Sequence, residues 1–81
     1  MKARVIVTLK PGGLDPQGQA IEGALKSLGF SGIASARQGK VFDLEVAETD
    51  PQKAETTLRA MCEQLLANTI IENYAYELEA A

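Results

Sequence analysis

Residues 3–10 alternate in polarity: Ala3, Val5, Val7 and Leu9 fall on one side, Arg4, Thr8 and Lys10 on the other. A period of two marks a half-buried strand, with Ile6 the one apolar residue on its outer face. From Pro16 to Leu28 the period changes. Ile21, Ala24, Leu25 and Leu28 recur at helical spacing, and Gly29 stands in the C′ position that closes a helix. A second strand is predicted over about 33–38, and Gln38-Gly39 reads as a tight turn into a third strand over about 40–48, so that the two form a hairpin. In the third strand Phe42, Leu44 and Val46 line one face while Asp43 and Glu45 line the other. Thr49 and Asp50 offer an N-cap before Pro51. The residues Ala54, Leu58, Met61, Cys62, Leu65 and Leu66 then mark the apolar face of a longer helix, for which Asn68 is the predicted left-handed terminator. A last strand runs over about 70–78, with Ile70, Tyr74, Tyr76 and Leu78 on one side.

The order is therefore βαββαβ in a single domain over residues 1–81. Short connections fold this order most economically as an α+β domain, a four-stranded antiparallel sheet with two helices on one face, the ferredoxin-like arrangement. The opposite sheet face would carry Arg4, Ile6, Ala34, Ala36, Asp43 and Glu45. Such a face is neither strongly charged nor strongly apolar, and it can be solvated or can pair with another copy. Asp-Pro-Gln opens both helices, at 15–17 and at 50–52. The apolar faces lie two residues out of phase relative to those caps, a rotation of about 200°, so shared capping chemistry explains the repeat as well as duplication does.

The junction between the first strand and the first helix is the densest part of the chain. Pro11-Gly12-Gly13 breaks the strand, Asp15 sits at the N-cap, and Pro16 takes the first helical position, where a missing N–H costs nothing. Gln17 and Gly18 remain unexplained by turn and cap alone, because Gly within a helix costs about 1 kcal/mol relative to Ala.

Composition narrows the chemistry. An 81-residue chain of this kind buries only about 60% of its unfolded surface, and small cores often need a staple or oligomerisation. Cys62 is the only cysteine and there is no histidine, which excludes an internal disulfide and leaves only carboxylates for metals. Oligomerisation is the remaining source of extra stability. The single thiol and the lack of a signal sequence fit a reducing compartment, so a cytoplasmic location is expected. The net charge of −3 argues against nucleic acid as the main partner, and the apolar run ending at Leu9 is too short for a membrane segment.

No catalytic signature is complete. Cys62, Ser27, Ser31 and Ser35 lack a histidine base, and Cys62 lies on an apolar helix face, where a structural thiol is expected. Glu77 and Glu79 share a strand face and are expected to be solvated. Lys40 beside Gly39 reads as a turn lysine, with anion binding as the alternative. Lys10-Pro11-Gly12-Gly13 lacks the Gly-Lys-Ser/Thr end of a P-loop. Gln17-Gly18 faintly resembles the acylphosphatase loop, but Gln19 and Ala20 stand where that enzyme has its phosphate-binding arginine.

With these residues in view, the sequence closely resembles the PurS family, the small subunit of phosphoribosylformylglycinamidine synthase. The resemblance covers essentially the whole chain. It rests on the strand ending in Leu9-Lys10, on Leu14-Asp15-Pro16-Gln17-Gly18 followed by Ala20-Ile21, and on Leu28-Gly29. It continues through Arg37-Gln38-Gly39-Lys40 and Leu65-Leu66-Ala67-Asn68 to Ile71-Glu72-Asn73-Tyr74. Thr69 departs from the expected proline, and Gly13 from a larger apolar residue. The resemblance implies a non-catalytic subunit with no cofactor of its own, which self-associates as a dimer or tetramer. It would bridge a glutaminase subunit, which releases ammonia from glutamine, and a large synthetase subunit, which uses ATP and magnesium to convert formylglycinamide ribonucleotide to formylglycinamidine ribonucleotide. On that reading Lys10, Asp15, Gln17, Arg37 and Lys40 are the expected polar contacts with partner subunits or a sister copy. The main alternative is a free-standing ferredoxin-like regulatory domain, binding a small metabolite between paired copies with the Gly12-Gly13 loop as a rim.

Overall fold

The structure, a computed structural model, describes residues 1–11 and 15–79; the expected turn at Gly12-Gly13, and Leu14 after it, lie outside the described residues. Three strands form one antiparallel sheet: β1 (Lys2–Leu9), β2 (Gly39–Glu45) and β3 (Glu72–Glu79), in the order β2-β1-β3. Two α-helices, α1 (Pro16–Ser27) and α2 (Pro51–Met61), occupy the connections. The class is α+β, as the sequence predicts.

The alternation of β1 decides which face is buried. Ala3, Val5 and Val7 are almost completely enclosed. Their antiparallel partners place Val5 between Phe42 and Tyr76, and Ala3 between Leu44 and Leu78. Over this face lies α2, whose Ala54 and Leu58, with Cys62 at the C-cap, recur every fourth residue, one stripe of a 3.6-residue helix, and are all fully buried. Burying each large side chain of this kind contributes about 1.5–3 kcal/mol. The tyrosines of β3 finish the seam. Tyr76 Oη donates to Glu55 Oε1 at 2.7 Å and accepts from Arg59 Nε at 2.9 Å, while Tyr74 Oη reaches Glu63 Oε1 at 3.3 Å. These contacts hold α2 toward the β3 side of the sheet.

Past Met61 the helix widens into a π-helical turn over Cys62–Leu66, closed by Ala67 N–H donating to the Cys62 carbonyl at 2.9 Å. In an ideal α-helix Leu65, seven residues beyond Leu58, would return to the inner face. The wider turn rotates it outward, leaving it 83% exposed, and brings Leu66 onto the core instead. Asn68 is not the left-handed terminator expected of it, since no non-glycine residue has positive φ among the described residues. Its side chain accepts from Ile70 N–H at 3.2 Å and its carbonyl from Glu72 N–H at 2.7 Å, forming the turn into β3. Ile70 consequently lies in that turn, exposed, rather than in the strand.

Two further expectations are corrected. Residues 30–38 form no strand, so the sheet has three strands rather than four. Nor do both helices cover one sheet face: the only buried residue of α1 is Gly18, and none of its side chains joins the core. The cause is local. A two-residue hairpin at Gln38-Gly39 needs a positive φ, but among the described residues positive φ occurs only at Gly29 and Gly32. Gly39 is instead already in β2, opposite Thr8. At Gly29 the sequence is right: Phe30 N–H bonds Leu25 O and Gly29 N–H bonds Lys26 O, both at 3.0 Å, the paired bonds of a glycine helix stop.

The shape records this. The Cα radius of gyration is 16.2 Å and the longest extent 49 Å, whereas about 12 Å is usual for a compact chain of this length.

Candidate functional site

At one end of the sheet the chain crosses itself. The C-terminal end of β1, the first turn of α1, the entry to β2 and the entry to β3 converge there, as the pairings Thr8–Gly39 and Leu9–Glu72 require. Asp15 is the expected N-cap: its Oδ1 accepts from Gly18 N–H at 2.9 Å. Its Oδ2 also takes the Gln38 N–H at 3.4 Å. Glu22, one turn further along α1, accepts from Ala36 N–H at 2.7 Å, and the Arg37 guanidinium donates to the Leu9 carbonyl. Three polar contacts therefore clamp residues 36–38 onto α1 and β1. Asp15→Ala removes both the cap and one clamp, and is expected to cost about 0.5–2 kcal/mol in a urea melt, with Asp15→Asn costing less because Asn also caps.

The five residues singled out in the sequence all lie at this end, with different duties. Asp15 and Arg37 belong to the clamp, and Arg37 does not pair with Asp43 or Glu45. Lys10 and Gln17 are exposed, flanking the clamp, and the Lys10 N–H bonds the Ile71 carbonyl at 2.9 Å. Lys40 is on a strand, not in a turn. It faces Glu72 across β1 at 3.9 Å and keeps its ammonium exposed, so this pair contributes at most about 1 kcal/mol. The sequence missed Glu22 and the partner that makes Gly18 necessary. A Cβ on Gly18 would lie 2.4 Å from the Ala36 carbonyl oxygen.

The outer sheet face is polar at the opposite end. Lys2 lies between Glu45 and Glu79, and Arg4 between Asp43 and Glu77, around a shallow cleft of about 590 Å³. Arg4 Nε meets Asp43 Oδ1 at 2.8 Å; this hydrogen bond raises the guanidinium pKa and lowers that of the carboxyl. Acid therefore removes the contribution of Asp43 as pH falls through its depressed pKa, a small effect for two exposed groups. Cys62 behaves as its apolar position predicts. Burial first, and the Glu63 charge second, push its thiol above the ordinary range. A thiol-specific reagent at neutral pH is expected to label Cys62 only after denaturation, at least a hundredfold faster than in the native protein, since the thiolate is the reactive form.

Residues 2–80 match the family model for PurS, described as phosphoribosylformylglycinamidine (FGAM) synthase. The chain belongs to the PurS family. PurS is a subunit of FGAM synthase in purine biosynthesis. A PurS relative from Synechocystis sp. is 46% identical over 95% of this chain and 77% of its own length. PurS from Bacillus subtilis is 42% identical, and its crystal structure superposes with a TM-score of 0.87, covering 96% of each chain. The structure of PurLQS from Thermotoga maritima contains a chain that matches with a TM-score of 0.86 at 31% identity, over 94% of this chain and 93% of that one. Among the described residues no helix is long and apolar enough to cross a membrane.

Proposed function

We propose that this chain is the non-catalytic, bridging subunit of a cytoplasmic FGAM synthase. It would hold a glutaminase subunit beside a large ATP-dependent synthetase subunit, so that ammonia from glutamine reaches formylglycinamide ribonucleotide. ATP, magnesium and glutamine are handled by those larger subunits, and this chain supplies surfaces and self-associates. The observation that carries the reading is the near-full-length match to a chain of the Thermotoga maritima PurLQS assembly. The side chains agree with it: the polar groups at the crossing are engaged in holding the chain to itself, and Cys62 is buried.

Lys10, Gln17 and Lys40 are the polar side chains left facing outward at the crossing, and these are the contacts proposed for larger subunits. Co-purification tests the reading. Tagged chain is expected to retain both a glutaminase and an ATP-dependent synthetase, and their glutamine-dependent FGAM formation is expected to fall when the chain is omitted. Lys40→Ala is expected to melt as the parent does and to weaken that assembly. Retention of neither subunit, or full activity without the chain, overturns the reading.

A further inference from the structure

The end of α2 and its connection to β3 turn Met61, Leu65, Ile70 and Ile71 outward, at 38%, 83%, 83% and 52% exposure. Single apolar side chains scattered over a surface are ordinary, whereas several gathered on one short connection mark an interaction surface. Their exposure is built into the backbone. The π-helical turn over Cys62–Leu66 takes Leu65 off the core and gives its place to Leu66, and such turns recur at functional sites. A bonded turn then fixes Ile70. Asn68 Oδ1 accepts from Ile70 N–H at 3.2 Å, and the Asn68 carbonyl accepts from Ile71 N–H at 3.0 Å and from Glu72 N–H at 2.7 Å. Glu72 Oε1 completes it, accepting from Asn68 N–H at 2.7 Å. Leu65 and Ile70 thus project from a backbone that is ordered before anything binds, which keeps the entropic cost of burying them low.

The neighbouring charges say what fits over them. The Lys10 N–H donates to the Ile71 carbonyl at 2.9 Å and its side chain is exposed. Lys40 faces Glu72 at 3.9 Å with its ammonium in solvent, while Glu63 is turned to the β3 seam, where Tyr74 Oη holds it. The apolar group is therefore continuous with two lysines already proposed as contacts for larger subunits. An apolar centre with a charged rim is the ordinary anatomy of an interface, and the complement of this one is an apolar socket rimmed by carboxylates. The clefts described on this chain are no such socket for a second copy. The one on the outer sheet face is lined mainly by charged side chains, and the one at the start of α2 by Glu48, Asp50, Lys53 and polar neighbours. A domain this small has little apolar volume to spare beyond its own core, so the socket belongs to a larger protein.

We infer that Leu65 and Ile70 insert as apolar anchors into a carboxylate-rimmed socket on a larger subunit of the FGAM synthase assembly, with Ile71 at the edge and Lys10 and Lys40 on the rim. The inference rests on the bridging role proposed above and names the surface through which it acts. A few central side chains carry most of an interface's affinity, so the two anchors govern how long the complex lasts, and the lysines govern how fast it forms.

Binding of the purified chain to the glutaminase and synthetase subunits, in buffer holding ATP, magnesium and glutamine, tests it, with sedimentation equilibrium of the chain alone alongside. Leu65→Ser combined with Ile70→Ser is expected to raise the dissociation constant by about tenfold or more. The same variant is expected to melt and self-associate as the parent does, since neither side chain joins the core. Leu65→Met with Ile70→Val keeps the anchors apolar and is expected to bind as the parent does. Lys10→Glu is expected to slow association at low salt, and the difference is expected to shrink as salt screens the rim. A serine variant that binds both larger subunits as tightly as the parent overturns the anchors and leaves the bridging role standing. A serine variant whose self-association is lost also overturns them, because the connection then packs against a sister copy. A parent chain that binds neither larger subunit overturns the bridging role, and the anchors with it.

Discussion

Leu58→Ala is expected to destabilise the protein by about 2–5 kcal/mol, the range for emptying a fully enclosed leucine site. Leu58 is completely buried and shares the core with Val5 and Val7 of the central strand and Cys62 one turn on. Little can collapse into the space, because β1 is held on both sides by strands and α2 is pinned by Tyr76 through Glu55 and Arg59. Domains have roughly 0.05–0.15 kcal/mol of stability per residue, which for this chain is on the order of 4–12 kcal/mol in all. The substitution therefore removes a large share of it, and at the low end leaves a mixture of folded and unfolded chain at room temperature. Urea denaturation followed by circular dichroism, at one fixed protein concentration so that self-association is constant, measures the loss. Leu58→Met, which conserves volume, is the control and is expected to cost less than about 1.5 kcal/mol. A loss below about 1 kcal/mol for the alanine variant would show that α2 does not sit on the sheet as described.

What was legible in the sequence follows from where the physics is local. The period of two in β1, the caps at Asp15 and Asp50, and the stop at Gly29 depend on neighbours within a few residues, and each appears in the structure where the sequence places it. The α2 stripe is legible at Ala54, Leu58, Cys62 and Leu66, whereas Met61 is exposed and the π-helical turn carries Leu65 outward, and nothing in the spacing of Leu65 announces a wider turn. The expected hairpin fails for a different reason. Gln38-Gly39 has the composition of a turn, yet whether it turns is decided by Asp15, Glu22 and Leu9, which are 16 to 29 residues away in sequence and become neighbours only through the fold. The candidate site divides the same way. Asp15 is legible as a cap but its second bond to Gln38 is not, and Arg37, expected as a contact with a partner subunit or a sister copy, donates instead to a backbone carbonyl, which leaves no trace in side-chain composition.

Gly18→Val is expected to destabilise the protein by about 2–3 kcal/mol, the upper part of the range for overpacking, and to do so at a position on a helix where glycine is ordinarily the poorer choice. Removing glycine from a helix usually gains up to about 1 kcal/mol, so the sign of the effect separates helix propensity from steric fit. At this position the Cβ would come 2.4 Å from the Ala36 carbonyl oxygen and 2.8 Å from Asp15 Oδ2. Neither can retreat freely. Ala36 is bonded to Glu22, Gln38 to Asp15, and Arg37 to the Leu9 carbonyl, so moving the crossing segment away breaks the bonds that position it. Valine recovers less helix propensity than alanine, and its branch adds bulk to the contact. Alanine presents the same Cβ but recovers the propensity, and is expected to cost about 1 kcal/mol less than valine. The glycine in the first turn, which capping alone leaves unaccounted for, is thereby explained as the seat of a backbone crossing. Because that crossing sets the direction in which residues 30–35 leave the body, Gly18→Val is also expected to speed exchange at the Ala36 and Gln38 amides. A valine variant as stable as the parent, with those two amides unchanged, would mean that residues 36–38 do not rest on the helix.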